Sequence, residues 1–138
     1  MRFPTVAAAI IAGAIILPAG TALADGDAAA GEKVFKKCMS CHTVEAGKTK
    51  ATGPNLLGVV GRKAGTADYK YSDALIQAGE GGLVWTPEAL DDYIEDPKEF
   101  LAAQLGIDKS KVKNKMAFKL KKDDQRADVI AYLSSLSN

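Results

Sequence analysis

The chain has two cysteines and one histidine, and all three fall in one pentapeptide, Cys38-Met39-Ser40-Cys41-His42. Cys-x-x-Cys-His is the spacing used for covalent attachment of c-type haem. Two thiols so placed can add to the two vinyl groups on one edge of a porphyrin. An imidazole directly after the second thiol can then turn under the ring and bind iron. Three other readings compete. A thioredoxin-like dithiol expects a strand before it and a βαβ setting, whereas the residues from Gly31 to Lys37 have a helical, lysine-rich pattern. A structural zinc site needs about four N or S ligands, more than this pentapeptide holds. A plain disulfide suits an exported protein but gives the adjacent histidine no role. The motif therefore points to a redox haem protein with thioethers at Cys38 and Cys41 and His42 on the iron.

The other face of the iron needs a different side chain, because there is no second histidine. Met1 lies in an apolar leader, and Met39 is confined to the attachment loop. Met116, in Lys115-Met116-Ala117-Phe118, is left as the candidate. A core-filling methionine is the ordinary alternative, and a lysine ligand or an open position are the alternatives for the iron. A histidine–methionine pair would favour ferrous iron and raise the potential. With both positions filled, the site would pass single electrons rather than bind substrate. A haem peroxidase or a gas-binding module would need an open or labile face. The lack of a second histidine counts against a peroxidase.

These residues must be positioned by helices, since no alternating strand pattern of useful length appears. Asp27 is placed to cap a first helix running to about Lys37, with Gly31, Val34 and Phe35 inward. Residues 48–65, rich in Gly and Lys and carrying Gly53-Pro54-Asn55, read as loop. Ser72 caps a short helix ending at Gly79. Thr86 with Pro87 opens another, whose stripe is Leu90, Tyr93 and Ile94. Asp96-Pro97-Lys98-Glu99 has the form of a capping box and starts a helix that ends at Gly106. A last helix begins near Asp123, with Ala127, Ile130 and Leu133 on one face and Val129 and Leu136 beside it. The expectation is an all-α domain in which the first and last helices pack across each other beside the haem.

Residues 1–24 read as an export signal: Arg2, an apolar run from Val6 to Leu17, and the small-x-small site Ala22-Leu23-Ala24. The domain then spans residues 25–138, and the expected compartment is the periplasm, with a mature form not embedded in the membrane. Charge is nearly balanced, with 18 basic and 17 acidic residues before Arg2 is removed with the leader. It is unevenly spread. Seven lysines and no acid lie between Lys109 and Lys122, and six acids lie between Thr86 and Phe100. Lysines near Met116 would form a docking face and the acids would tend to the opposite side, giving a dipole. Neither a net basic excess nor a recognition motif indicates nucleic-acid binding.

In combination, several segments make the chain resemble the class I cytochromes c, and most closely the cytochromes c2 of photosynthetic bacteria. They are Cys38 to Val44, Thr52-Gly53-Pro54-Asn55-Leu56, Gly61-Arg62-Lys63, Trp85, Tyr93, Asp96-Pro97-Lys98, Lys115 to Phe118 and Asp128 to Leu133. The resemblance implies one haem c and no enzymatic activity. It implies that the Pro54 carbonyl accepts the Nδ1–H of His42. Trp85, Tyr71 and Arg62 would serve the haem propionates, and Tyr93 would lie near the Met116 sulfur. Gly31 and Phe35 would pack on Val129 and Tyr132. It further implies a monomeric periplasmic carrier that meets acidic surfaces of its partners. Electrons would come from a cytochrome bc complex and pass to a photosynthetic reaction centre, a terminal oxidase, or both. Two departures stand out. The approach to Met116, from Leu101 to Lys115, is long and lysine-rich, with Asn114 where relatives carry threonine. Leu75 replaces an asparagine of mitochondrial relatives.

Overall fold

A computed structural model describes residues 25–136. The leader and its cleavage site after Ala24 lie outside the described residues. Five helices follow in order: α1 (Ala28–Phe35), α2 (Asp73–Glu80), α3 (Pro87–Glu95), α4 (Pro97–Leu105) and α5 (Asp123–Ser135). A single 3₁₀ turn, Lys109–Lys111, separates α4 from α5. Among the described residues there is no strand, only isolated bridges at Lys50–Gly53 and Lys63–Val84.

The helix starts follow from side-chain capping, which satisfies the otherwise unpaired N–H groups of a first turn. Asp27 Oδ1 accepts from Ala29 N at 2.8 Å and Ala30 N at 3.2 Å. Ser72 Oγ accepts from Leu75 N at 3.4 Å, and Thr86 Oγ1 from Ala89 N at 3.1 Å. The expected capping box forms only by half. Asp96 Oδ1 accepts from Glu99 N at 3.2 Å. The Glu99 carboxylate turns away to Lys109, because Asp96 N is already used in closing α3 on Asp92 O, at 3.3 Å. No side chain caps α5, whose first turn instead carries Asp123 and Asp124, anions that suit a helix N-terminus.

The first helix is shorter than expected. Beyond Phe35 the chain tightens into i→i+3 bonds, with Cys38 N on Phe35 O at 2.8 Å and Cys41 N on Cys38 O at 3.1 Å. His42 N closes the turn on Cys38 O at 2.9 Å. The attachment motif is therefore a compact turn hung on the end of α1.

Helices α1 and α5 cross as expected, and Gly31 sets their separation. A Cβ built there would lie 1.9 Å from Asp128 O and 2.8 Å from Tyr132 Cβ. The contact continues in Phe35 and Tyr132, whose rings are 5.5 Å apart, and in Asp27 N, which donates to Asp128 Oδ1 at 2.8 Å. Phe35, Val129, Ile130 and Leu133 join Leu75, Leu90, Phe100 and Leu101 in one core. Leu101 is fully buried, and burial of such a side chain stabilises by roughly 1.5–3 kcal/mol. The inward face of α5 differs from expectation by one residue. Arg126 is buried beside Val129, its Nε donating to Asp91 at 2.8 Å, its Nη1 to Leu120 O at 3.1 Å and Lys121 O at 3.0 Å, and its Nη2 lying 3.9 Å from Glu95.

Candidate functional site

The turn after α1 points Cys38, Cys41 and His42 into a cavity of about 370 Å³. The two thiols are not joined. Burial pushes the Cys38 thiol up to about 11. Neighbouring loops pin the turn. Thr52 Oγ1 donates to Cys41 O at 3.1 Å, and Lys50 Nζ donates to Met39 O.

His42 is held by residues 53–54. Its Nδ1 lies 2.8 Å from Pro54 O. A carbonyl can only accept, so Nδ1 carries the proton and Nε2 keeps its lone pair for a metal. Burial lowers the imidazole pKa, partly opposed by the Pro54 bond, which also favours a neutral ring able to ligate. Gly53 permits the approach: a Cβ there would meet Cys41 O at 2.7 Å and His42 Nδ1 at 2.9 Å. This part of the Gly53-Pro54-Asn55 loop is fixed in turn by Asn55, whose Nδ2 donates to Glu45 O at 2.7 Å and Lys48 O at 2.9 Å.

Every residue singled out from the sequence for this site lines the same cavity: Cys38, Cys41, His42, Pro54, Arg62, Tyr71, Trp85, Tyr93 and Met116. Trp85 and Tyr93 form an aromatic wall, their rings 4.9 Å apart, backed by Phe100 at 6.1 Å from Trp85. Arg62 spends its guanidinium on the loop, with Nη2 on Asn55 O at 2.9 Å. The Tyr71 hydroxyl accepts from Ala67 N at 3.2 Å. Burial raises the Tyr71 pKa and takes that of Tyr93 up to about 12, so both remain neutral phenols. Leu56, Val59, Leu75 and Leu133 complete an apolar lining.

Asn114 was legible only as a departure from a family pattern, and it is the hub of the Met116 side. Its Nδ2 donates to Tyr93 Oη at 3.2 Å and to Met116 O at 3.1 Å, and its Oδ1 lies 3.5 Å from Ser72 Oγ. An amide supplies both donors and an acceptor, which a threonine could not supply in the same way. Lys115 is also engaged, donating to Lys70 O and lying 5.3 Å over the Tyr69 ring.

The donor set fits a covalently attached haem. The cavity lining carries two thiols, an imidazole whose Nε2 is left free by its tautomer, and the Met116 side chain, among apolar residues and in a volume of the size expected for a bound cofactor. Among the described residues no group of three or more His, Cys, Asp and Glu could hold a bare metal ion.

The charge pattern differs from expectation. The acids of α3 and α4 do not all lie away from the lysines. Asp96 Oδ2 accepts from Lys109 Nζ at 2.9 Å and from Lys119 Nζ at 2.8 Å. Attraction between residues near in space outweighs segregation along the chain. Lys111, Lys113 and Lys115 instead share a second hollow, of about 720 Å³, with Lys70 and Lys98. Tyr71, Ser72, Asn114 and Lys115 line both cavities.

Comparison with known proteins agrees with this geometry. The cytochrome c family model matches residues 28–137. Cytochrome c-551 of Roseobacter denitrificans is 49% identical over 130 residues, covering 90% of this chain and 91% of its own. Cytochrome c2 of Rhodospirillum rubrum is 47% identical over 130 residues, covering 94% and 95% respectively. The solved structure of cytochrome c2 from Rhodospirillum centenum superposes with a TM-score of 0.77 at 46% identity, covering 82% of this chain and all of that one.

Proposed function

The chain belongs to the cytochrome c family, and from that premise we propose that it is a periplasmic single-electron carrier whose iron is held between His42 and Met116. The protein is an electron carrier of cytochrome c2 type, not an enzyme, with one haem c bound through Cys38 and Cys41. The convergence of His42 and Met116 on the cavity that holds both thiols supports iron held between them.

Bound haem supplies an iron that cycles between ferrous and ferric states. The residues of this chain do the rest. Pro54 orients the His42 ring and fixes its tautomer. A thioether at Met116 favours the reduced state. Asn114 ties the Met116 backbone to Tyr93. Trp85, Tyr93 and Leu75 exclude water, so that little solvent reorganises when charge changes. Arg62, Tyr71 and Trp85 would serve the propionates as donors, which such carboxylates need when buried.

Support for docking through lysines comes from the hollow rimmed by Lys70, Lys98, Lys111 and Lys113 next to the haem cavity. An acidic partner surface is its complement. On the family resemblance, the donor is a cytochrome bc complex and the acceptor a photosynthetic reaction centre, a terminal oxidase, or both, met by a monomer. Export follows from the leader cleaved after Ala24. Among the described residues no helix is long and apolar enough to cross a membrane.

The test is the ferric spectrum. The wild type should carry the sulfur-to-iron charge-transfer band. Met116→Ala should abolish it, lower the potential and let small ligands bind. An unchanged band and potential in the variant would mean that another group binds iron.

A further inference from the structure

Taking Met116 as the second ligand, we propose that Asp96 is a positioning residue for it: one carboxylate staples both ends of the Met116-bearing segment to the corner between α3 and α4. The two ammonium groups on Asp96 Oδ2, from Lys109 at 2.9 Å and Lys119 at 2.8 Å, come from either side of Met116. Residues 109–119 thus form a loop closed at its base by a single anion. Lys109 also reaches Glu99 at 3.1 Å, and Leu120 N donates to Ile94 O at 2.9 Å just beyond the second anchor.

The corner is a firm place to anchor. Asp96 closes α3 through its N–H and caps α4 through Oδ1, and Pro97 behind it is fully buried. The Asp96 side chain is 15% exposed, against 42% for either lysine. Lys119 first, and then Lys109, hold its carboxyl well below the usual carboxylate range. Within the loop, Val112 is buried, Asn114 bonds to Tyr93 and Ser72, and Lys115 donates to Lys70 O, but Lys111, Lys113, Lys115, Ala117 and Phe118 are exposed. A segment with few buried contacts opens at low cost, so the ion pairs at its base add to what sets how often it lifts. Two half-exposed pairs shift such an opening equilibrium by roughly three- to tenfold.

Asp96→Asn separates the staple from the cap, because asparagine caps helices as well as aspartate but carries no charge. Two readouts on the haem-loaded ferric protein decide. Amide hydrogen exchange over residues 110–119 should speed up roughly three- to tenfold, with α1 and α5 unchanged. Imidazole should bind the iron more tightly by a similar factor. Lys109→Gln combined with Lys119→Gln, which leaves Asp96 in place, should reproduce both effects. Unchanged exchange over 110–119, or a rise shared equally by α1 and α5, overturns the staple. The wild-type charge-transfer band separates the two ideas: its absence overturns Met116 as ligand, whereas hydrogen exchange judges the staple whatever group binds iron.

Discussion

At the scale of single residues, the chemistry rests on side chains whose alternatives are removed by their neighbours. His42 cannot offer Nδ1, because Pro54 O occupies it. The thiols of Cys38 and Cys41 are unbridged and line an apolar cavity, and both are spaced for addition to the vinyl groups of a haem. Denatured holoprotein should therefore keep its haem through acid–acetone extraction, as seen by absorbance of the precipitated chain; haem in the supernatant would refute thioether attachment. The attachment motif could be read from residue type and spacing, and Met116, singled out by elimination, lines the same cavity. Asn114 and Asp96 could not be read for what they do. A cap and a family departure were visible, but the two lysines on Asp96 lie 13 and 23 residues away. Which lysine reaches which acid depends on how the loop returns, and local patterning carries no trace of that.

At the scale of elements, helix starts were legible wherever a capping side chain exists, as at Asp27, Ser72, Thr86 and Asp96. Their ends were less so. The first helix gives way at Phe35 to the tight turns of the attachment motif, although its lysine-rich sequence would permit another turn. The burial of Arg126 was hidden for a different reason. An arginine on an amphipathic helix normally faces water, and the joint presence of Asp91, Glu95, Leu120 O and Lys121 O makes its burial tolerable. The crossing of α1 and α5 was legible because Gly31 falls on the inward face of α1. Substituting Gly31 by valine forces side-chain atoms onto Asp128 O and should destabilise the fold by about 1–3 kcal/mol in chemical denaturation. Unchanged stability would mean that the two helices do not meet there.

At the scale of the whole molecule, a nearly neutral chain presents its charge in patches. Asp96 and Glu99 offset Lys109 and Lys119 locally, while Lys70, Lys98, Lys111 and Lys113 gather with Asp73 around the hollow. That hollow shares a wall with the cavity of Cys38, Cys41 and His42, and on our proposal its lysines steer partners toward the route for electrons. Steering of this kind raises association rates by about 10–10³-fold and fades with salt. Reversing charge at Lys113 should slow association and leave the haem spectrum unchanged. The most direct measurement is the bimolecular rate at which a quinol-reduced cytochrome bc complex reduces the ferric protein, followed across a range of ionic strength. A rapid one-electron reduction that slows as salt rises is the predicted result. Reduction no faster than with quinol alone, or a rate that stays flat or climbs with salt, would contradict it.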